Sequence, residues 1–157
     1  MAVHVLTAAE AEILMGLDPA LRPVALRHRD AALSQGLPFV FISGLRSRSQ
    51  QTAEVAARYN PDGSLKPGFT PAAKPGTSKH EVGGAYDLAR QAPSVEQKVG
   101  ALGESLGLTW GGRYTPTPDP NHFEVSTSRA EFASYRAVTL LAVAGTVGLV
   151  LALTAGE

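Results

Sequence analysis

"LTWGGRYTPTPDPNHFEVS", Leu108 to Ser126, holds two short apolar runs with a proline-rich stretch between them. LTWGG and HFEVS carry the aromatic and β-branched residues of strands, and turn-forming residues bound them. On the second strand, residues two apart share a side, so His122 and Glu124 face the same way. Working outward, GAYDLAR (84–90) reads as another short strand, and LPFVFISG (37–44) as a buried one. Helices fill the rest. TAAEAEIL starts with Thr7 as N-cap and Glu10 at the capping-box position. PALRPVALRHRDAALSQG runs to a stop at Gly36, and RSRSQQTAEVAARYN has helical periodicity after a serine-rich start. SVEQKVGALGESLG takes Ser94 as its expected cap. Helices first and short strands later, with one helix among them, predict an α+β fold: a small antiparallel sheet flanked by helices.

The chain has 157 residues, about one domain, and no formal net charge, so nothing marks it as a nucleic-acid binder. It has no cysteine, which excludes a disulfide framework and a thiolate metal site. A transition metal would have to be held by imidazole and carboxylate. Of the four histidines, His4 lies in a polar N-terminal stretch and His28 among arginines. Both are expected to face solvent.

His80 and His122 are different, because each has acids nearby. In "TSKHEVGGAYDL" (77–88), His80 precedes Asp87 by seven residues, with Gly83 and Gly84 between them. Glycines there permit positive φ or close backbone approach. In "DPNHFE", His122 follows Asp119 and precedes Glu124. A catalytic zinc uses three protein ligands, and two histidines with one carboxylate suffice. His80, Asp87 and His122 are the candidates. Asp119 is the best-placed general base, since no H-E-x-x-H motif exists. Glu124 would orient a ligand imidazole from behind. Spacing alone leaves open the blander reading, hydrogen-bonded surface histidines. The 18-residue stretch 61–78, rich in Pro and Gly, is long enough to imply a functional loop.

SKHEVGGAYD fits the pattern Ser-x-His-x-x-Gly-x-Ala-x-Asp, and Trp-Gly-Gly followed by DPNHFE resembles the second half of the same family. This is similar to the M15, or VanY-like, zinc peptidases of the hedgehog and D-Ala-D-Ala peptidase fold. Within them it most resembles the L-alanyl-D-glutamate endopeptidase branch, which includes phage endolysins. The likeness covers about residues 36–126. It implies one zinc per chain on His80, Asp87 and His122, with Asp119 as base. It also implies that Arg46, in FISGLRSRSQQ, stabilises the oxyanion, the alternative being a surface cation interchangeable with Arg48. Ser78 is expected to bond within the ligand loop or touch substrate, or else simply to cap a turn. Trp110 is expected to wall the cleft or pack beneath the metal loop. The sequence departs from the family at Leu45, Glu81 and Tyr86, and none of these removes a ligand. The implied substrate is the peptidoglycan stem peptide. Rival readings are a D,D-carboxypeptidase of the same fold and a non-catalytic zinc module that binds the wall.

The resemblance says nothing about Ala137–Ala155, nineteen residues without a charge. As a helix it would be about 28 Å long, close to the bilayer core. Phe132 and Tyr135 suit the interfacial belt. The expected organisation is a peptidase domain at 1–130, a juxtamembrane segment at 131–136 and a transmembrane helix at 137–155. The alternative for that stretch is a buried core helix. The N-terminus lacks a secretory signal pattern, and Arg129 and Arg136 precede the apolar stretch. The positive-inside bias would then keep the domain cytoplasmic until lysis, with dependence on a holin if the chain is phage-encoded.

Overall fold

Four short antiparallel strands build the sheet: β1 (Phe41–Ser43), β2 (Ala85–Leu88), β3 (Leu108–Trp110) and β4 (His122–Val125), in the order β1-β2-β4-β3. The computed structural model describes residues 5–127. The apolar stretch 137–155, together with His4, Phe132 and Tyr135, lies outside them. Among the described residues no helix is long and apolar enough to cross a membrane.

Register gives the sheet two unlike faces. Ser43 pairs with Asp87 and Asp87 with His122, so three polar side chains stand abreast across three strands. One step out of phase, Tyr86 pairs with Phe123 and Phe123 with Trp110. These aromatic residues are buried, and with Phe39, Phe41 and Leu88 they form the core. Tyr86 and Phe123 stack at 5.6 Å, and Phe41 meets Tyr86 edge-on at 5.3 Å. Each large side chain removed from water contributes about 1.5–3 kcal/mol, so this face is where the sheet gains its stability.

The helices are α1 (Ala8–Gly16), α2 (Arg22–Ser34), α3 (Arg48–Arg58) and α4 (Pro93–Ser105). The α1 capping box forms as expected: the Thr7 hydroxyl accepts from Glu10 N, and the Glu10 carboxylate accepts from Thr7 N. Ser47 and Gln50 make the same box at α3. Helix α4 corrects one expectation. Its N-cap is Ala92, with no side-chain cap, and Ser94 lies inside the first turn behind Pro93. Proline at the first helical position already has the helical φ and lacks an N–H that would need a partner.

His28 is a larger correction. It is fully buried, not solvent-facing. Ala25, His28, Arg29 and Ala32 are the buried residues of α2, at spacings that line one helix face. Nε2–H donates to Val99 O at 2.8 Å, so neutral Nδ1 accepts the Tyr86 hydroxyl at 2.7 Å. Burial pulls this imidazole down to about 4, against the opposing hydrogen bond to Val99. His28 thus serves as a neutral polar link between α2, α4 and β2.

Candidate metal centre and active site

The polar face of the sheet becomes a site because a tight turn brings His80 against it. Residues Lys79–Val82 form one 3-10 turn. Ser78 caps it: its hydroxyl accepts from His80 N, and Glu81 completes a capping box. The turn ends at Gly83, with φ +69°. A Cβ there would stand 2.8 Å from Asp18 N, so both the conformation and the close approach demand glycine. Gly84 has no positive φ, so the freedom is used at Gly83 alone. Ser78 is buried, which fits bonding within the ligand loop rather than contact with substrate.

Three donor atoms converge. His122 Nδ1 lies 2.9 Å from Asp87 Oδ1, His80 Nε2 lies 3.3 Å from His122 Nδ1, and His80 Nε2 lies 3.4 Å from Asp87 Oδ1. A tetrahedral ion with bonds of about 2.0–2.1 Å has ligand–ligand edges of about 3.3 Å. Two of the three separations match that edge, and the third needs only a small expansion. Among the described residues these three form the one group of such side chains able to hold an ion. The donor set, two imidazoles and a carboxylate, suits zinc, and it is one ligand short of the closed set of a structural zinc site.

The outer atoms of the ligands are also engaged. His80 Nδ1–H donates to Gly44 O at 2.7 Å, which fixes the tautomer and leaves Nε2 for the metal. His122 Nε2–H donates to Glu124 Oε2 at 3.2 Å, which leaves Nδ1. Asp87 Oδ2 accepts from Arg46 at 2.6 Å. Arg46 is itself fixed by Ser43 Oγ at 3.0 Å and Gln51 Oε1 at 3.4 Å. Arg48 is a different kind of cation, exposed and paired with Glu81 at 2.7 Å. The two arginines are therefore not interchangeable: Arg46 touches a candidate ligand and Arg48 braces the turn behind it.

Electrostatics separate the acids. Burial opposes the charge on Asp87, but hydrogen bonds and charge from His122 and His80 hold its carboxyl far below the usual range. For His122, burial opposes protonation, yet bonds to Asp87 and Glu124 raise it to about 9. Glu124 falls to about 2, its burial outweighed by His122 and Lys79. Asp119 moves the other way, raised by burial and by the Asp87 charge despite His122, Arg58 and Arg90. A carboxyl with a raised pKa beside a metal group suits proton transfer in both directions.

Several contacts were not legible in the sequence. Lys79 Nζ reaches Glu124 Oε1 at 3.0 Å and Val125 O at 2.6 Å. The Tyr114 ring lies 6.1 Å from that of His122. Both residues sit inside the quoted motifs, next to His80 and after Trp-Gly-Gly, but only the fold brings one to Glu124 and the other to His122. Trp110 does not wall a cleft. It is buried, and its indole N–H donates to Pro120 O at 2.8 Å, beneath the loop that carries Asp119 and His122. The stretch 61–78 runs as a strap along α3. Arg58 holds Thr70 O at 3.0 Å, Gln51 holds Ala73 O at 2.8 Å, and Glu81 accepts from Gly76 N at 2.6 Å.

Comparison with known proteins agrees with this geometry. Residues 72–125 match the peptidase M15 family model described as D-alanyl-D-alanine carboxypeptidase. Among solved structures, the L-Ala D-Glu endopeptidase ChiX of Serratia marcescens aligns with TM-score 0.58 and 22% identity, covering 83% of this chain and 92% of that one. The zinc-bound D,D-pentapeptidase VanY from a VanB-type resistance cassette aligns with TM-score 0.60 and 20% identity, covering 71% and 73%. The LD-carboxypeptidase LdcB aligns with TM-score 0.56 and 22% identity, covering 78% and 72%. At such identities the structural likeness establishes the fold. No curated protein matches the chain.

Proposed function

We propose that this chain, an M15-type metallopeptidase with the family's signature over residues 72–125, is a zinc-dependent peptidoglycan peptidase that cuts between L-alanine and D-glutamate of the stem peptide, as an endolysin does. One observation carries the metal-dependent reading: His80 Nε2, His122 Nδ1 and Asp87 Oδ1 meet with mutual separations of 2.9–3.4 Å. The endopeptidase assignment is supported by the likeness to ChiX, which spans 92% of that enzyme.

His80, Asp87 and His122 would hold one zinc. When bound, that ion supplies Lewis acidity, polarising the scissile carbonyl and acidifying the attacking water. Asp119 takes the water proton and returns it to the departing amine, a task for which its raised pKa is suited. Arg46, fixed by Ser43 and Gln51, presents a guanidinium to the negative charge that develops on the carbonyl oxygen. Ser78 keeps the ligand turn in shape, and Glu124 keeps the His122 ring oriented.

A second reading has its own support. The matching family model is described as a carboxypeptidase, so removal of terminal D-alanine is the rival reaction. The full chain, incubated with purified peptidoglycan in zinc or in chelator, decides by fragment mass. Zinc-dependent fragments with new N-terminal D-glutamate support the endopeptidase. Free D-alanine assigns the carboxypeptidase. No release from a chain that still binds one zinc leaves a wall-binding module.

The apolar stretch 137–155 is proposed to anchor the enzyme to the membrane, with the catalytic domain cytoplasmic until lysis and release dependent on a holin if the chain is phage-encoded. Recovery of the whole chain in the soluble fraction of intact cells would remove the anchor.

A further inference from the structure

The ligand turn Lys79–Val82 sends three consecutive side chains to three different parts of the molecule. A 3-10 helix has three residues per turn, so successive side chains diverge by about 120°. His80 offers Nε2 to the metal group and bonds Gly44 O through Nδ1 at 2.7 Å. Glu81 turns away, accepting from Arg48 Nε at 2.7 Å and from Gly76 N at 2.6 Å. Lys79 reaches across to β4, where Nζ donates to Glu124 Oε1 at 3.0 Å and to Val125 O at 2.6 Å. Val125 is itself tied to the end of the turn, since its N–H donates to Gly84 O at 3.0 Å. Gly84 N in turn donates to Lys79 O at 2.9 Å. The backbone that carries Lys79 and the carbonyl that receives its ammonium group are thus fixed to each other.

A ligand imidazole is held only as well as the group behind it. Glu124 stands between the Lys79 ammonium and the His122 ring: Oε1 takes the lysine bond, and Oε2 accepts from His122 Nε2 at 3.2 Å. A glutamate side chain has rotamers to choose from, and holding both oxygens at once removes that choice. Charge works in the same direction. The Lys79 and Glu124 side chains are only 15% and 18% exposed, and a carboxylate left at that depth without its counter-ion is costly. Asp87 has the matching arrangement on the other side of the ring. Its Oδ1 lies 2.9 Å from His122 Nδ1, and its Oδ2 accepts from Arg46 at 2.6 Å. Each carboxylate that touches the His122 ring therefore has a cation on its far oxygen.

We infer that Lys79 is a positioning residue of the metal site: anchored on Val125 O, its ammonium group pins Glu124 against His122 Nε2 and so fixes the ring that presents Nδ1 to the metal. This rests on the reading of His80, Asp87 and His122 as ligands. Lys79 fills the unspecified position of the Ser-x-His pattern and lies outside the ligand, base and oxyanion roles. Loss of an outer partner of a ligand lowers metal affinity about 10- to 100-fold. Glu124 is the direct partner and Lys79 acts through it, so the smaller end of that range is expected when the ammonium is removed. The sign is informative. A cation that merely stood near the site would repel the ion, and its removal would tighten zinc binding. A cation that holds the support in place weakens binding when it is removed.

The test is a zinc competition titration on the full-length chain, comparing wild type, Lys79→Met, Glu124→Ala and the double variant, with circular dichroism as a check on folding. Methionine keeps an unbranched apolar stem and loses the charge. The inference predicts about a tenfold weaker zinc affinity for Lys79→Met with the fold unchanged. It also predicts little further loss when the Met substitution is added to Glu124→Ala, because the two act on one path. Equal or tighter affinity of Lys79→Met overturns the role of Lys79 and leaves the metal site standing. Additive losses overturn the route through Glu124. Failure of the wild type to bind zinc overturns the metal reading itself, and this inference with it. Lys79→Gln gives a second check if Met perturbs folding: this shorter, uncharged variant should also bind zinc about tenfold more weakly than wild type, and wild-type affinity there contradicts the proposal.

Discussion

Two histidines on opposite faces of one sheet, His28 buried and His122 half-buried, titrate in opposite directions. His28 packs against the aromatic face, T-shaped to Phe39 at 4.9 Å and to Phe123 at 4.7 Å, and falls to about 4. His122 stands on the polar face between Asp87 and Glu124 and rises to about 9. Both rings are withdrawn from water, so burial pushes both down. What differs is the partner. The Val99 carbonyl favours the charge on His28 too little to offset burial, whereas two carboxylates overcome the cost of burying a cation at His122. Burial alone therefore does not tell a structural histidine from a metal ligand. The acids within reach do.

The sharpest way to break this comparison is to remove a ligand. His80→Ala or Asp87→Ala should lower zinc affinity and peptidase activity by more than about a hundredfold, since even the loss of an outer partner costs about 10- to 100-fold. Affinity near wild type would dissolve the distinction between the two faces. Asp119→Asn should lower kcat by about 10²–10⁴-fold while zinc affinity stays within a few-fold, because the residue moves protons and does not ligate. Parallel loss of zinc would make Asp119 a ligand.

The next effects are set by pH. His28 has a folded pKa below its unfolded value, so the unfolded chain binds the proton first. Stability should fall as pH drops from about 6.5 to about 4, by about 3 kcal/mol from this residue. Chemical denaturation across that range measures it, and His28→Gln should flatten the slope. His122 has the opposite sign. In the metal-free chain its contribution is complete below about pH 6.5 and is lost as pH rises through about 9.

The smallest effect concerns the proton itself. Zinc must displace it from His122, so apparent affinity should rise up to about tenfold per pH unit and level off near pH 9. Calorimetry in buffers of different ionisation enthalpy would count the proton released.

Much of this was readable from the sequence because local pattern carries it. Alternation in HFEV sets His122 and Glu124 together and Phe123 opposite, and the sheet obeys it. The boxes at Thr7 and Ser47 depend on residues three apart, so they form from local sequence alone. What escaped comes from distance in the chain. Lys79 meets Glu124 across 45 residues, and Tyr86 meets His28 across 58. The charged neighbours Arg27, Arg29 and Asp30 disguised His28, although Ala25 and Ala32 mark its buried face. Arg46 illustrates a partial reading. The family resemblance singled it out, but its hold on Asp87 is a tertiary contact that no spacing reveals.

The most direct test of the central claim is X-ray absorption at the zinc edge on the loaded full-length chain, beside His80→Ala. The account predicts one zinc per wild-type chain, with two imidazole nitrogens and a carboxylate oxygen at about 2.0–2.2 Å, and one imidazole fewer, or no bound zinc, in the variant. A wild-type spectrum without histidine scattering, or one that His80→Ala leaves unchanged, would contradict it.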